Sequence, residues 1–351
     1  MTQFKIDETF RDDYTFRNSD GAILRFPFPF EQDDYMYSFN VELHRKGGPT
    51  GAYENYFDID EHYVSECRER ALVLLQDPSR CLVLDHMESA EWDTLELIME
   101  CLASDYPEHF ELHRDPDSWR WINRPLEIEH SFIFGDRSTL PCSPFEYITR
   151  QAQGDFLLQD HRNNNLYIDG GMVTSQADWS LEFDVGMSFI EWHAPVPLAH
   201  EMGVFESAVN YLMQMEYGIP VRRLNWTMTV NPRLDTSQEN YPVWGPDRRT
   251  ITRQNIGSKL HLRVELQAAW RLPRSNAILF SVRGYLASLD DISRVPKWAR
   301  RLHRVIKNLH PEIADYKGIS GYRDLVTEHM AQFDDGAPTS PGTQPDTKTL
   351  I

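Results

Sequence analysis

The feature that most constrains the fold of this 351-residue chain is a strand-like alternation at residues 261–273, HLRVELQAAWRLP. Every second position carries an apolar side chain, and the positions between them carry His261, Arg263, Glu265 and Gln267. Successive side chains of a strand point to opposite faces of its sheet. The segment therefore predicts a strand with one apolar face and one charged face.

Two neighbouring segments, residues 221–230 and 276–286, alternate in the same way and place Arg223 and Arg283 in polar rows. Two interpretations are open. An antiparallel sheet can expose its polar face to water, where a charged pair contributes under about 1 kcal/mol. Alternatively the face is covered, and Arg223 and Glu265 line a pocket, because buried charges require partners.

Charge and composition exclude several classes of partner. The formal net charge of −19 repels phosphate backbones, so we expect no nucleic-acid binding. Apolar runs are far shorter than a membrane span, and the N-terminus lacks the basic start and apolar core of a signal peptide, so we expect no membrane partner. Cys67, Cys81, Cys101 and Cys142 form no CxxC pair, which favours reduced thiols and a cytoplasmic location.

The pattern of the chain changes along its length. Residues 58–76 and 91–103 have helical spacing, and Asp58 or Asp60 is the expected cap of the first helix. Helices at both ends of a mostly antiparallel sheet make an α+β layout. The predicted segments are an extended N-terminal arm (1–54), a helical region (55–144), a β-rich domain (145–290), C-terminal helices (291–334) and a disordered tail (335–351).

The histidines contain no HExxH motif and no Cys/His zinc pattern. His109 and His113 are expected to be surface or cap residues. His193 lies in WHAPVP, where we expect a strand to end at two prolines that fix the direction of the imidazole. It is either a structural residue or a metal ligand, and His200 is the alternative ligand.

These stretches resemble one family, the catalytic alpha subunit of haem-dependent oxidative N-demethylase, a dimethylamine monooxygenase. The resemblance is strongest from residue 261 to 289 and extends over about 55–330. Further matching stretches are FDIDEHYVSECRERALVLL (57–75), YITRQAQGDFLLQ (147–159), WHAPVP (192–197) and RLNW (223–226). The matching residues of the strongest stretch are Arg263, Glu265, Gln267, Arg271, Leu272, Pro273, Arg274, Ser275, Arg283, Tyr285 and Leu286.

The resemblance implies a haem (heme, iron porphyrin) held in a PAS-like domain, a five-stranded antiparallel sheet with flanking helices. It implies a monooxygenase that uses O₂ and removes a methyl group from a small secondary amine as formaldehyde. It further implies that electrons come from NADPH through a partner reductase that carries FMN and an iron–sulfur centre. The alternative is a haem-binding PAS-type sensor, and a third hypothesis is a scaffold without a cofactor.

Carried over residue by residue, the resemblance makes His193 the axial ligand of the iron and Arg223 and Glu265 the catalytic residues. Arg223 would stabilise negative charge that develops on oxygen, and Glu265 would pair with a protonated amine and orient its methyl group. Arg271 and Arg283 are the candidates for binding the cofactor through its propionates.

A single β-bulge would exchange the faces of a strand, so Arg222 and Arg263 remain alternatives to Arg223 as the catalytic arginine. The sequence also departs from the family pattern. Leu266 replaces the usual arginine, Asn276 the usual glycine and Gly284 the usual threonine. These changes concern the substrate more than the cofactor.

Overall fold

We describe a computed structural model that covers residues 2–35, 38–48, 50–197 and 203–351. Its largest element is a seven-stranded antiparallel sheet, with strands in the order β1-β8-β9-β10-β6-β7-β2, and a three-stranded sheet has the order β3-β4-β5. The strands are β1 (Glu42–Leu43), β2 (Cys81–Val83), β3 (Phe110–Arg114), β4 (Trp119–Asn123), β5 (Ile128–Phe132), β6 (Asp155–Arg162), β7 (Asn165–Met172), β8 (Val221–Val230), β9 (Leu260–Arg271) and β10 (Ile278–Ser288).

Helices precede, interrupt and follow the strands, so the α+β class predicted from the sequence is confirmed. Within the described ranges, no helix combines the length and the apolar character that crossing a bilayer requires. The helices are α1 (Asp20–Arg25), α2 (Tyr63–Gln76), α3 (Glu88–Asp105), α4 (Pro144–Thr149), α5 (Leu181–Asp184), α6 (Phe189–Trp192), α7 (Val204–Met213), α8 (Tyr241–Trp244), α9 (Ile256–Lys259), α10 (Leu289–Ser293), α11 (Pro296–Asn308), α12 (Pro311–Tyr316) and α13 (Arg323–Ala331).

The register of the central strands decides which side chains share a face. Arg223 pairs with Gln267 across β8 and β9, and Asn225 pairs with Glu265, so the two polar rows lie on one face. Gly284 of β10 is opposite Glu265, which puts Arg283 on the other face. The three polar rows therefore do not form one surface, and only those of β8 and β9 are continuous.

The other face is apolar along β8 and β9 except at Arg222, and it packs against two groups of helices. At one end Trp270 stacks on Phe57, with ring centroids 4.8 Å apart, in a core shared with α2 and α3. At the other end Trp226 contacts Phe30 of the N-terminal arm in a core that includes α11 and α13. Burial of this face attaches both the N-terminal and the C-terminal helices to the sheet.

Two regions differ from the sequence-based expectation. The segment 110–132, expected to be helical, forms the three-stranded sheet, and Trp121 of its central strand is fully buried. The tail, expected to be disordered, lies along α11, where the Trp298 indole donates to the Thr343 carbonyl at 2.6 Å. Arg301 donates to the carbonyls of two further tail residues, so polar α11 side chains bind the tail through its backbone.

Helix α2 begins five residues later than its sequence pattern suggests. Asp58 and Asp60, the expected caps, lie outside the helix, and His62 is the N-cap residue. Their carboxylates instead bind Arg25 and Arg283, both at 2.6 Å. Tertiary ion pairs thus use the two acids that local rules would assign to capping.

Candidate functional site

A cavity of about 300 Å³ lies over the polar face of β8 and β9. Arg223 and Glu265 extend into its lining from the sheet, and His193 and Lys317 line it from other parts of the chain. Phe183 also lines it and is 71% exposed, so the cavity reaches the surface. Aromatic residues complete much of the wall: Trp179, Phe183, Trp192, Phe280 and Tyr316.

His193 follows a short helix, and the expectation that a strand ends there was wrong. Ser188 and Glu191 form a reciprocal capping box that starts α6, and His193 is the C-cap residue of that helix. The capping pattern Ser-x-x-Glu was visible in the sequence and is a standard helix-start signal. This capping box starts a helix within the apolar run that suggested a strand.

The imidazole of His193 is held in a defined tautomer. Its Nδ1 is 2.8 Å from the carbonyl oxygen of Phe189. Because a carbonyl only accepts hydrogen bonds, Nδ1 carries a hydrogen, and in the neutral ring the lone pair is therefore on Nε2. The rings of Phe189 and Phe205 lie 4.2 and 4.6 Å from the imidazole centroid. A backbone carbonyl on one nitrogen is the usual support for a histidine that binds metal through the other.

Glu265 is the centre of a hydrogen-bonded chain on the polar face. Its Oε2 accepts from the amide nitrogens of Asn225 at 3.1 Å and Gln267 at 3.0 Å. The Gln267 oxygen accepts from Arg223 at 3.2 Å, and the Asn225 oxygen faces Lys317 Nζ at 3.4 Å. Two amides therefore separate the carboxylate from two cations, and the cations fix the orientation of both amides.

Lys317 lines the same cavity as Glu265, although it was not predicted as a site residue from the sequence. It directly follows α12, and its side chain is buried against the edge of β8. Burial lowers the pKa of Lys317 to about 7, and the charge of Glu265 only partly opposes that effect. No local pattern marks a single lysine beyond a short helix as buried, so the sequence offered no signal for it.

Arg271 and Arg283 lie elsewhere, and within the described residues neither lines this cavity. Arg271 donates to the carbonyls of Leu212 at 2.8 Å and Met213 at 2.9 Å, which caps the C-terminus of α7. Arg283 lies on the opposite face of the sheet and binds the carboxylates of α2 and the segment before it. Both guanidinium groups are thus bonded to protein acceptors away from the cavity.

The alternative arginines are also engaged elsewhere. Arg222 projects from the other face of β8, pairs with Glu42 at 2.8 Å and stacks on Tyr53. Arg263 shares the face of Glu265, but its guanidinium donates to backbone carbonyls, including that of Leu234 at 2.9 Å. Among the arginines considered from the sequence, Arg223 is the one that lines the cavity.

The remaining histidine predictions have simple outcomes. His200 lies outside the described residues. His109 and His113 lie next to and within β3, remote in the fold from the cavity lining. The described part of the chain has a further cluster of potential metal ligands, His86, Asp160 and Asp169. The Arg162 guanidinium binds both aspartates there, so a protein cation already occupies the position of a metal ion.

The comparison with known families identifies the relationship. A family model described as haem-dependent oxidative N-demethylase, alpha subunit-like, matches residues 50–327. The chain belongs to this family. The match begins before α2 and continues into α13, so it includes every strand of the large sheet except β1 and all of the cavity lining. Membership supports a haem-dependent oxidoreductase of the oxidative N-demethylase kind, and the alpha-subunit description implies a partner subunit.

The cavity has a composition that fits the haem implied by the family. Its wall combines aromatic surface with one imidazole whose lone pair is on Nε2, the arrangement that an iron ligand requires. It also contains the guanidinium of Arg223 and the ammonium of Lys317, which suit anionic groups. Apolar walls with a few polar groups are typical of cofactor sites.

Proposed function

We propose that this cavity holds haem with His193 as the iron ligand, and that the protein oxidatively removes a methyl group from a small, dimethylamine-like secondary amine. The balanced reaction consumes O₂, two electrons and two protons. It places one oxygen atom in formaldehyde and the other in water. When bound, the haem would supply the oxygen chemistry.

The observation that carries this proposal is the convergence of His193, Arg223 and Glu265 on one cavity. These residues come from α6, β8 and β9, which are separate elements of the chain. An imidazole, a guanidinium and a carboxylate that share one concave space are the groups expected of a catalytic site.

The five central strands β8-β9-β10-β6-β7 are antiparallel and carry helices on both faces. This arrangement supports assignment of residues 145–290 to a PAS-like haem-binding domain. The fold alone does not distinguish an enzyme from a sensor. The acid–base groups of the cavity favour an enzyme, because a passive binding site has no need of Glu265.

Glu265 is suited to binding a protonated amine. Its Oε2 is held by two amide nitrogens, which fix the carboxylate plane relative to the sheet. A secondary amine is cationic near neutral pH, and pairing with a carboxylate would orient its methyl group. In the reaction Glu265 can hold the ammonium proton and then return it.

Arg223 is suited to stabilising negative charge. Its guanidinium is positioned by neutral acceptors, Asn40 Oδ1 at 3.2 Å and Gln267 Oε1 at 3.2 Å. A guanidinium held at the cavity wall by these two amide oxygens can stabilise anionic groups that develop as electrons arrive. The electrons would come from a reductase subunit with NADPH, FMN and an iron–sulfur centre.

A spectrum of the purified protein with haemin tests the cofactor assignment. The wild type should show an intense Soret band, and His193→Ala should lose it or shift it. His113→Ala is the matched control, because that histidine is half exposed on β3. An unchanged spectrum in His193→Ala would remove His193 from the role.

An activity assay tests the reaction. Holoprotein supplied with a chemical or enzymatic electron source and dimethylamine should release formaldehyde in equal amount to methylamine. Haem binding without formaldehyde release from any small secondary amine would favour a haem-binding sensor over the enzyme.

A further inference from the structure

Lys317 is an unusual cation because it is buried without a carboxylate beside it. The residue is 6% exposed, and it forms no ion pair with a carboxylate within the described ranges. The ammonium instead donates to the Trp226 carbonyl at 2.5 Å and to Asn225 Oδ1 at 3.4 Å. Burying an ammonium with only neutral partners is costly, so the position calls for an anion.

The charges around Lys317 strengthen this conclusion. Arg223 adds a second positive charge that acts on Lys317, and Glu265, the carboxylate that acts on it, is linked to it only through the Asn225 amide. Arg248 lies close to the adjacent Gly318 and pairs with Asp178 at 3.2 Å. The aromatic rings of Trp226 and Tyr35 face the ammonium at 4.6 and 5.7 Å. Although Asp178 and Asp184 also line the cavity, Lys317 thus has a second cation nearby and neutral groups as its direct hydrogen-bond partners.

We propose that Lys317 and Arg223 form a carboxylate-binding subsite of the cavity, with Asn225 holding the lysine toward it. This inference rests on the proposed function, since it names the group that the cavity would hold beside Glu265. The carboxylate has two sources that share the same chemistry: a propionate of haem or a carboxylate carried by the amine substrate.

A bound carboxylate would give the lysine the counterion that the protein lacks. It would receive charge-assisted hydrogen bonds from an ammonium and a guanidinium, which are among the stronger interactions in proteins. It would also reverse the effect of burial on the pKa of Lys317, which now lies at about 7. Glu265 would then remain available for the ammonium of the substrate.

Haemin titration tests whether a haem propionate is the carboxylate bound by Lys317. Lys317→Met removes the charge with little change in volume, and Lys317→Arg keeps the charge. If a propionate occupies the subsite, Lys317→Met should weaken haemin binding by about tenfold or more, and Lys317→Arg should restore most of the affinity. Haemin dimethyl ester, whose propionates are neutral, should bind the wild type and Lys317→Met equally.

Substrate titration tests whether the amine substrate carries the carboxylate bound by Lys317. N-methylglycine and dimethylamine are both secondary amines, but only the former carries a carboxylate. If the substrate supplies it, Lys317→Met should leave haemin affinity unchanged and weaken N-methylglycine binding by about tenfold or more, with dimethylamine binding unaffected. Thermal unfolding of each variant verifies that it is folded.

The outcomes separate this inference from the proposed function. Equal affinities of folded wild type and Lys317→Met for haemin and N-methylglycine overturn the carboxylate subsite and leave the haem assignment intact. If the wild type binds no haemin, the proposed function fails. N-methylglycine binding to the haem-free protein, compared with Lys317→Met, then decides the subsite alone.

Discussion

The two faces of the central sheet each bury charged side chains, and they do so in different ways. On one face Arg283 binds Asp60 at 2.6 Å and Glu66 at 3.1 Å, with both acids buried. On the other, Glu265 is separated from Arg223 and Lys317 by the side-chain amides described above. Direct ion pairs connect the charges of the first group, although Asp60 and Glu66 also line a cavity of about 300 Å³. In the second group, amides separate the opposite charges at the wall of the candidate site. We name the first group the closed network and the second the open network.

The pKa shifts express the same difference. Burial would raise the pKa of Asp60, but the charge of Arg283 together with His62 and the hydrogen bond from Gln153 outweighs burial and holds this pKa at about 2. For Lys317 burial is the stronger effect, and its pKa falls to about 7. Burial also raises the pKa of Glu66, so Arg283 stabilises the charge of Asp60 more fully than that of Glu66. A buried charge whose desolvation is not offset is a candidate for binding a ligand when it also lines a cavity, as Lys317 does.

The largest expected effect tests the closed network. Arg283→Met should lower the free energy of unfolding by about 3–5 kcal/mol, because it leaves Asp60 and Glu66 buried without their cation. Arg223→Met, on the cavity side, should cost about 1 kcal/mol or less, since its acceptors are neutral and partly solvated. Urea unfolding at pH 7 measures both values. Equal losses in the two variants would contradict the contrast between the faces.

The second-largest effect concerns substrate binding by Glu265 in the open network. Glu265→Gln keeps the shape of the side chain and removes its charge, so the KM for a protonated amine should rise about 10- to 100-fold, equivalent to about 1.5–3 kcal/mol. Asp178→Asn is the control, because that carboxylate also lines the cavity but pairs with Arg248. A KM that changes equally in both variants would argue against a specific role for Glu265.

The smallest effect concerns a third carboxylate of the cavity, Asp184. Burial, followed by the charge of Glu239, raises its pKa from 3.8 to about 6. The folded protein therefore holds this proton more tightly than the unfolded chain does, and stability is lost as the pH rises from about 4 to 6. Asp184→Asn should remove that loss.

After allowance for screening by water in the cavity, the Asp184→Asn variant should be more stable than the wild type by about 1 kcal/mol at pH 7. The two proteins should be nearly equal at pH 3.5, where the aspartic acid is protonated. Thermal unfolding across this range measures the difference. A gain at pH 3.5 as large as that at pH 7 would assign the effect to packing.

Several elements followed from local pattern alone. The strand limits at 221–230 matched the prediction in full, and the predicted C-terminal helical region, 291–334, contains α11, which has Pro296 at its first position. The α+β class and the family relationship were also evident from the residues, because periodicity and motif order are properties of the linear chain. The charged row around Glu265 was one of these local signals.

The arrangement of these elements was set by packing between distant parts of the chain. Period-two alternation separates the two faces of one strand, but the register between strands decides whether rows such as those of Arg223 and Arg283 meet. The burial of Lys317 and the placement of His193 against the same cavity depend on contacts over long sequence separations. Alternation within a strand carries no information about these contacts, so the cavity was decided by the tertiary structure and could not be predicted from the sequence.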